Sequence, residues 1–293
     1  MMAGRVVRPS KRDAPRKEFP ISSSDKELSE KIKHYWNDRA KATDPASTQA
    51  TTYDVFLREH EIATLKKRIA ELSLVSGSTV IDLGCGDGHA TVSLAAAFPE
   101  IRFIGIDRSE EMLALAEKRL SSQPGLRRSV SFRVGDMGRL SDILRSDRFE
   151  VFMTMRSLIN LTTSEHQYDT IAQIAQNLVP GGYYFCIENF VQGQNNFNRL
   201  RVAMGLPEIP VRWHNLFFED ETFLAQTRRH FDPVVMDSFL SSYYLATRVI
   251  YSAGCHLKGE EPDYMHPIHQ VAARLPPIGD FCPIRLVSMR RKL

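Results

Sequence analysis

The sequence predicts an α/β fold, a doubly wound, mostly parallel seven-stranded sheet with inserted lid segments, on the strength of three observations. Between Thr79 and Ile187, short apolar runs alternate with amphipathic helical stretches through short connections, the pattern of parallel strands joined by crossover helices. The first run, Val80-Ile81-Asp82-Leu83, stops in glycines at alternate positions, Gly84, Gly86 and Gly88. The second and third runs close on acidic residues, Asp107 and Asp136. Open parallel sheets bind ligands at the carboxyl ends of their strands, so turn glycines and acids recurring at those ends predict a nucleoside-type ligand.

Composition narrows the classes. With 293 residues and 43% apolar content the chain can bury a sizeable core. A formal charge of +3 and the lack of a basic stripe with interleaved aromatics argue against a nucleic-acid partner. No run approaches the length of a membrane-spanning helix. Cys85, Cys186, Cys255 and Cys282 fall at no paired spacing, so reduced thiols in a cytoplasmic protein are expected. Residues 1–24 carry Arg5, Arg8, Lys11, Arg12, Arg16 and Lys17 with little apolar content and read as a disordered basic tail. Residues 25–293 read as one domain with an N-terminal helical cap.

Taken in order, "KIKHYWNDRAKATDP" offers a short helix bearing Tyr35, Trp36 and Arg39. A second helix puts Ile62, Leu65, Ile69 and Leu72 on one face. Arg58 and Glu59 at its start read as a surface pair, the alternative being a place near the ligand. The second strand, Arg102 to Ile106, closes on Asp107, and the helix after it has Met112, Leu113, Leu115, Ala116 and Leu120 on its apolar face. "VSFRVGDM" gives a third strand ending at Gly135-Asp136-Met137, and "FEVFMTM" a fourth. A helix with Ile171, Ile174, Ala175 and Leu178 stops before Pro180-Gly181-Gly182, and the fifth strand ends at Glu188. Residues 188–218 and 241–281 read as irregular insertions flanking a helix, "EDETFLAQTRRHF", and a sixth strand, "PVVMDSFL". "PIRLVSMR" is the last strand. Long irregular segments in a compact domain are more often functional lids than idle loops.

The glycine spacing separates two ligand types. A dinucleotide turn wants its third glycine one position later. Here Asp87 precedes Gly88 and Asp82 precedes Gly84, and carboxylates repel a diphosphate but attract an ammonium or sulfonium. The stretch "VIDLGCGDGHA" resembles motif I of the Rossmann-like, S-adenosylmethionine-dependent (class I) methyltransferases. It departs from them in ending "GDGHA", where aromatic or Asn variants are frequent.

That resemblance implies S-adenosylmethionine as cofactor and S-adenosylhomocysteine as product. It implies ribose hydroxyls on Asp107, the adenine amino group on Asp136, and Met137 against the ring. A Tyr-Trp-x-x-Arg segment, here Tyr35, Trp36 and Arg39, closes over the cofactor in many members. Asp82, Gly84, Cys85, Gly86, Arg108, Met112 and Arg156 complete the expected cofactor contacts. The later strings "MRSLINL", "LVPGGYYFCIEN", "NRLRVAMGLPEIPVRWHN", "YYLATRVI" and "PPIGDFCPIRL" resemble a bacterial group associated with surface-polysaccharide and sugar biosynthesis, over roughly residues 30–290. A small-molecule, sugar or nucleotide-sugar acceptor is therefore expected, and a homodimer is compatible with the group.

Methyl transfer from a sulfonium is an in-line displacement that needs a nucleophile held behind the methyl carbon, and a hydroxyl acceptor also needs a proton acceptor. Candidate catalytic residues are His214, Glu188 and Arg156. Asn160, Asn198, Arg201, Trp213, Asn215, Tyr243 and Arg248 are candidates for the acceptor pocket. Arg156, Arg201 and Arg248 suggest an acceptor carrying carboxylate or phosphate. Cys255, His256, His266 and His269 have no zinc-module spacing, so no metal is expected. Alternatives that stay open are a natural-product N- or O-methyltransferase and a non-catalytic S-adenosylmethionine-binding regulatory subunit.

Overall fold

A computed structural model gives the structure of the chain and describes residues 23–144 and 147–293. The expected basic tail lies outside the described residues, except that Ser23 and Ser24 already belong to the first helix, α1 (Ser23–Lys41). Among the described residues seven strands form one sheet in the order β3-β2-β1-β4-β5-β7-β6. β1 (Thr79–Leu83) lies between β2 (Arg102–Asp107) and β4 (Phe149–Met155), parallel to both. β3 (Val130–Val134) and β5 (Leu178–Asn189) extend the parallel part on either side. β7 (Ile284–Arg291) is antiparallel and slots between β5 and β6 (Phe231–Asp237). The expected doubly wound, mostly parallel sheet is therefore present. The chain reverses direction across the sheet between β1 and β4, the switch point where such folds open a crevice.

All five residues of β1 are buried because helices cover both of its faces. Val80 meets the layer made by α2 (Val55–Ala70) and α3 (His89–Ala97), through Ile62, Leu65, Val92 and Leu94. Leu120 of α4 (Glu110–Ser121) joins that layer. Ile81 and Leu83 face the opposite layer of α5 (Leu140–Leu144) and α6 (Ser164–Asn177), through Leu140, Ile171 and Ile174. The period of two along one strand thus feeds two separate cores.

Several expectations are corrected. The segment 188–218 is not irregular throughout: β5 runs to Asn189 and α7 (Val191–Ala203) follows. This helix seats because Gly193 lies so close to the Cys282 carbonyl that a Cβ would fall 2.1 Å from its oxygen, and because Phe197 is buried. Beyond it, α8 (Asp220–Thr227) is shorter than expected. The segment 241–281 is largely helical, with α9 (Ser241–Tyr244), a π-helical stretch over Leu245–Ile250, α10 (Tyr251–Lys258) and α11 (Ile268–Ala272). Tyr243, Val249 and Cys255 bury its apolar side. β5 also starts earlier than expected, at Leu178 opposite Phe149, and a bulge lets Pro180-Gly181-Gly182 sit within it. Among the described residues no helix is long and apolar enough to cross a membrane.

Candidate functional site

The carboxyl ends of β1 to β5 open into one cavity of about 330 Å³. Gly84 (φ 77°) and Gly86 (φ 54°) adopt a backbone that side-chain-bearing residues avoid. A Cβ on Gly84 would stand 2.3 Å from the Cβ of Ser157. The amides of Gly84 and Cys85 donate to the Ile106 carbonyl at 2.7 and 3.1 Å, lacing the turn to the end of β2. There Asp107 accepts from the Gly86 amide (2.8 Å) and the Ser109 amide (2.8 Å), and Ser109 in turn caps α4 at the Met112 amide. Each oxygen of Asp107 takes one amide and keeps a lone pair for a ligand. Burial raises its carboxyl above the usual range. Asp82, under the turn, accepts from the Thr91 hydroxyl at 2.6 Å, and burial pushes its carboxyl up to about 7. Asp136 accepts from the Gly138 amide at 2.9 Å, and its neighbour Met137 also lines the cavity.

The cap is tied down by one arginine of its own, Arg39, and by Arg108 from the end of β2. Arg39 donates to the Gln49 carbonyl (2.9 Å) and the Ala50 carbonyl (3.0 Å), and Arg108 to the Ser29 hydroxyl (2.7 Å) and carbonyl (2.6 Å). Both line the cavity with Tyr35 and Trp36. Asp87 has a structural partner set: it is fully buried and bonded to Arg58 and to Arg119 (3.0 Å). Arg58, read from sequence as a surface residue paired with Glu59, is only 5% exposed. Glu59 pairs instead with His89 at 2.6 Å. The signal that could have found this was on the helix itself, where Arg58 and Glu61 sit on the same buried stripe as Leu57, Ile62 and Leu65. A charge on an apolar stripe implies a buried partner.

At the β4 and β5 end the frame is different. Arg156 is the only non-glycine residue with positive φ (53°) among the described residues, and its amide donates to the Ile187 carbonyl at 2.7 Å. Its guanidinium pairs with the fully buried Glu61 at 3.0 Å. Asn160 donates to the Arg156 carbonyl (3.1 Å) and accepts from the Trp36 indole (2.9 Å). His214 stacks on Tyr35 with ring centroids 4.7 Å apart and meets Trp36 and Trp213 edge-on at 5.5 and 5.2 Å. Burial, with Arg212 nearby, lowers its imidazole to about 4. Asn215 lines the cavity, as does Arg248, which pairs with Asp54 and stacks 4.6 Å from the Tyr264 ring.

Five of the candidate residues lie outside the cavity lining. Glu188 is fully buried behind the wall and accepts the amides of Ser157 (3.1 Å), Leu158 (3.0 Å) and Ile159 (3.4 Å). Asn198 pins the Ile209 backbone from both sides, at 3.2 and 3.1 Å. Arg201 donates to the carbonyls of Pro207 (2.8 Å) and Arg248. Tyr243 donates to Asp54 at 2.7 Å and is hydrogen-bonded to His269 at 2.9 Å. Trp213 is half exposed under the Lys31 ammonium. These side chains shape the elements that carry the lining. All four cysteines are buried and free, Cys85 at the cavity edge. No cluster suited to a metal ion is found among the described residues.

Residues 74–217 match the family described as a methyltransferase domain. A trans-aconitate 2-methyltransferase of Methylobacterium nodulans is 32% identical over 114 residues, 39% of this chain and 39% of that protein. The chain spans less than two fifths of the length of the first curated relatives that it matches. Among solved structures, magnesium protoporphyrin IX methyltransferase from Synechocystis, with bound S-adenosylmethionine, superposes with a TM-score of 0.55 at 13% identity, covering 90% of this chain and 97% of that one. The N-methyltransferase NodS from Bradyrhizobium japonicum, with S-adenosylhomocysteine, gives 0.52 at 14% identity, covering 89% and 98%. Residues 74–217 thus resemble a methyltransferase domain, and the chain has the class I methyltransferase fold.

Proposed function

We propose that the chain moves the methyl group of S-adenosylmethionine to an oxygen of a small polar acceptor, with the donor across the ends of β1 to β3 and the acceptor across the ends of β4 and β5. The observation that carries this reading is the single cavity. It joins the glycine turn, Asp107 and Asp136 on one side to Arg156, His214 and Arg248 on the other. The donor is consumed as a substrate and supplies an electrophilic methyl carbon on a sulfonium. Asp107 takes the ribose hydroxyls on its remaining lone pairs, Asp136 and Met137 hold the adenine, and Asp82 lends negative potential beneath the turn. Tyr35 and Trp36 roof the cleft, so the reacting atoms meet with water excluded, and proximity and desolvation do much of the catalysis.

A small-molecule acceptor agrees with the modest volume of the cavity and with the trans-aconitate methyltransferases among the relatives. The resemblance of the later strings makes a sugar derivative the favoured scaffold. In this reading the cap, the segment 188–218 and the segment 241–281 work as lids.

Calorimetric titration with S-adenosylmethionine and S-adenosylhomocysteine tests the donor site. Micromolar binding is expected, and Asp107→Asn, which loses the charge behind its hydrogen bonds, weakens it about 10- to 100-fold, as a charged hydrogen bond worth about 1.5–3 kcal/mol requires. Unchanged affinity in that variant overturns the assignment.

A further inference from the structure

We propose that the acceptor is a hydroxylated carboxylic acid, gripped by Arg156 and Arg248, and that its carboxylate oxygen takes the methyl group without a protein base, giving a methyl ester. The proposal rests on the methyl-transfer reading above and names the substrate class of the same site.

The charges come first. Arg156 reaches the cavity from the end of β4 and Arg248 from the π-helical stretch, each anchored through one terminal nitrogen to one carboxylate, Glu61 or Asp54. A guanidinium has five N–H donors in a planar fork. The Nε of Arg156 is buried with no partner in the protein. Asp54 is shared among Arg248, the Tyr243 hydroxyl and the Leu57 amide, so it leaves Arg248 incompletely neutralised. Arg212 lines the same end and pairs with no carboxylate among the described residues. This end therefore has positive charge and unused fork donors to offer an anion.

Two further atoms ask for a ligand. The Oδ1 of Asn189 and the Nδ1 of His214 are buried without a partner, in side chains that are 8% and 5% exposed and line the cavity. Buried polar atoms are rarely left unpaired. Ligand hydroxyls, which donate and accept, satisfy both.

The third argument is that no carboxylate at this end is free to take a proton and none orients the one imidazole there. Glu188 lies behind the wall on three amides, Glu61 is held by Arg156 and does not line the cavity, and Asp54 is saturated. His214 stands among the rings of Tyr35, Trp36 and Trp213 with no carboxylate to orient it. An alcohol acceptor would need such a group. A carboxylate is already ionised at neutral pH. Its lone pair forms the new C–O bond as the methyl C–S bond breaks, and that electron pair returns to sulfur. The sulfonium becomes a thioether, the anion becomes a neutral ester, and no proton moves. Loss of the acceptor's charge frees it from both arginines, which favours release.

The test uses the purified full chain with methyl-labelled S-adenosylmethionine and four probes: glucuronate, trans-aconitate, glucose and glucosamine. The expected result is turnover on glucuronate to a product that releases labelled methanol in mild alkali. Arg156→Lys and Arg248→Lys keep a cation beside Glu61 and Asp54 but lose the fork. Both should raise KM for the acid at least 10-fold, and Arg248→Lys should leave donor affinity by calorimetry within twofold. Alkali-stable label, or glucose or glucosamine serving as well as the acid, overturns the proposal. Equal kcat/KM for trans-aconitate and glucuronate overturns the hydroxyl contacts. Donor binding with no transfer to either acid overturns the proposal while leaving the methyl-transfer reading intact, whereas failure to bind the donor removes that reading itself.

Discussion

Glu188 is the penultimate residue of β5, next to the cavity-lining Asn189, and the two roles open to it, proton acceptor or backbone clamp, predict opposite behaviour for conservative variants. Its carboxylate holds the amides of Ser157 and Leu158 at 3.1 and 3.0 Å, with Ile159 weaker at 3.4 Å, and so fixes the turn that presents Arg156 and Asn160. Glu188→Ala strands two buried amides, each costing about 1–3 kcal/mol, so a loss of roughly 2–6 kcal/mol is expected, or a fall in Tm of about 10 °C. Glu188→Gln keeps a carbonyl oxygen for both short bonds and should retain the turn.

Titration separates the roles further. Burial outweighs the amide bonds and pushes the carboxyl from 4.5 up to about 7. The folded state therefore holds the proton more tightly than the unfolded chain. The resulting stabilisation is full below about pH 4.5 and is lost as pH rises through 7, a swing of about 3 kcal/mol at 1.36 kcal/mol per pH unit. Gln does not titrate, so the stability of Glu188→Gln relative to the parent should rise by up to that amount between pH 5 and pH 8 in urea denaturation. Methyl-transfer kinetics at saturating donor should stay within a few-fold of the parent. A Gln variant that folds and binds donor but loses 10²–10⁴ in kcat, the size of a lost general base, would refute the clamp. A stability gap that does not change with pH would refute the buried titration.

Two other perturbations test the frame around the glycine turn. Asp87→Ala leaves Arg58 and Arg119 without their shared buried carboxylate and should cost about 3–5 kcal/mol in urea denaturation, whereas a loss under 1 kcal/mol would mean the cluster is not buried as described. Gly84→Ala, at φ 77° with its Cβ against Ser157, carries roughly 1–2 kcal/mol of backbone strain before any displacement of Ser157. Donor affinity by calorimetry should fall at least 10-fold with the circular dichroism spectrum retained, and undiminished affinity contradicts the close approach.

The glycine-turn side of the cleft was legible because it is written locally. A strand of period two, a glycine turn and an acid at the next strand end each need only a few consecutive residues, and parallel pairing brings those ends together. The side at the ends of β4 and β5 was not. Arg156 and Arg248 were picked out by charge, but whether a guanidinium grips a ligand or the protein depends on a carboxylate arriving from elsewhere: Glu61, 95 positions from Arg156, and Asp54, 194 positions from Arg248. Asn198 and Arg201 looked equally suited to a ligand, and the tertiary structure gave them to the backbone of Ile209, Pro207 and Arg248 instead. Periodicity tells which face of a helix is buried. It carries no record of what is buried against it, so the sequence by itself determined the sheet and the glycine-and-acid edge of the cleft, and only tertiary packing decided which charges remain for a ligand.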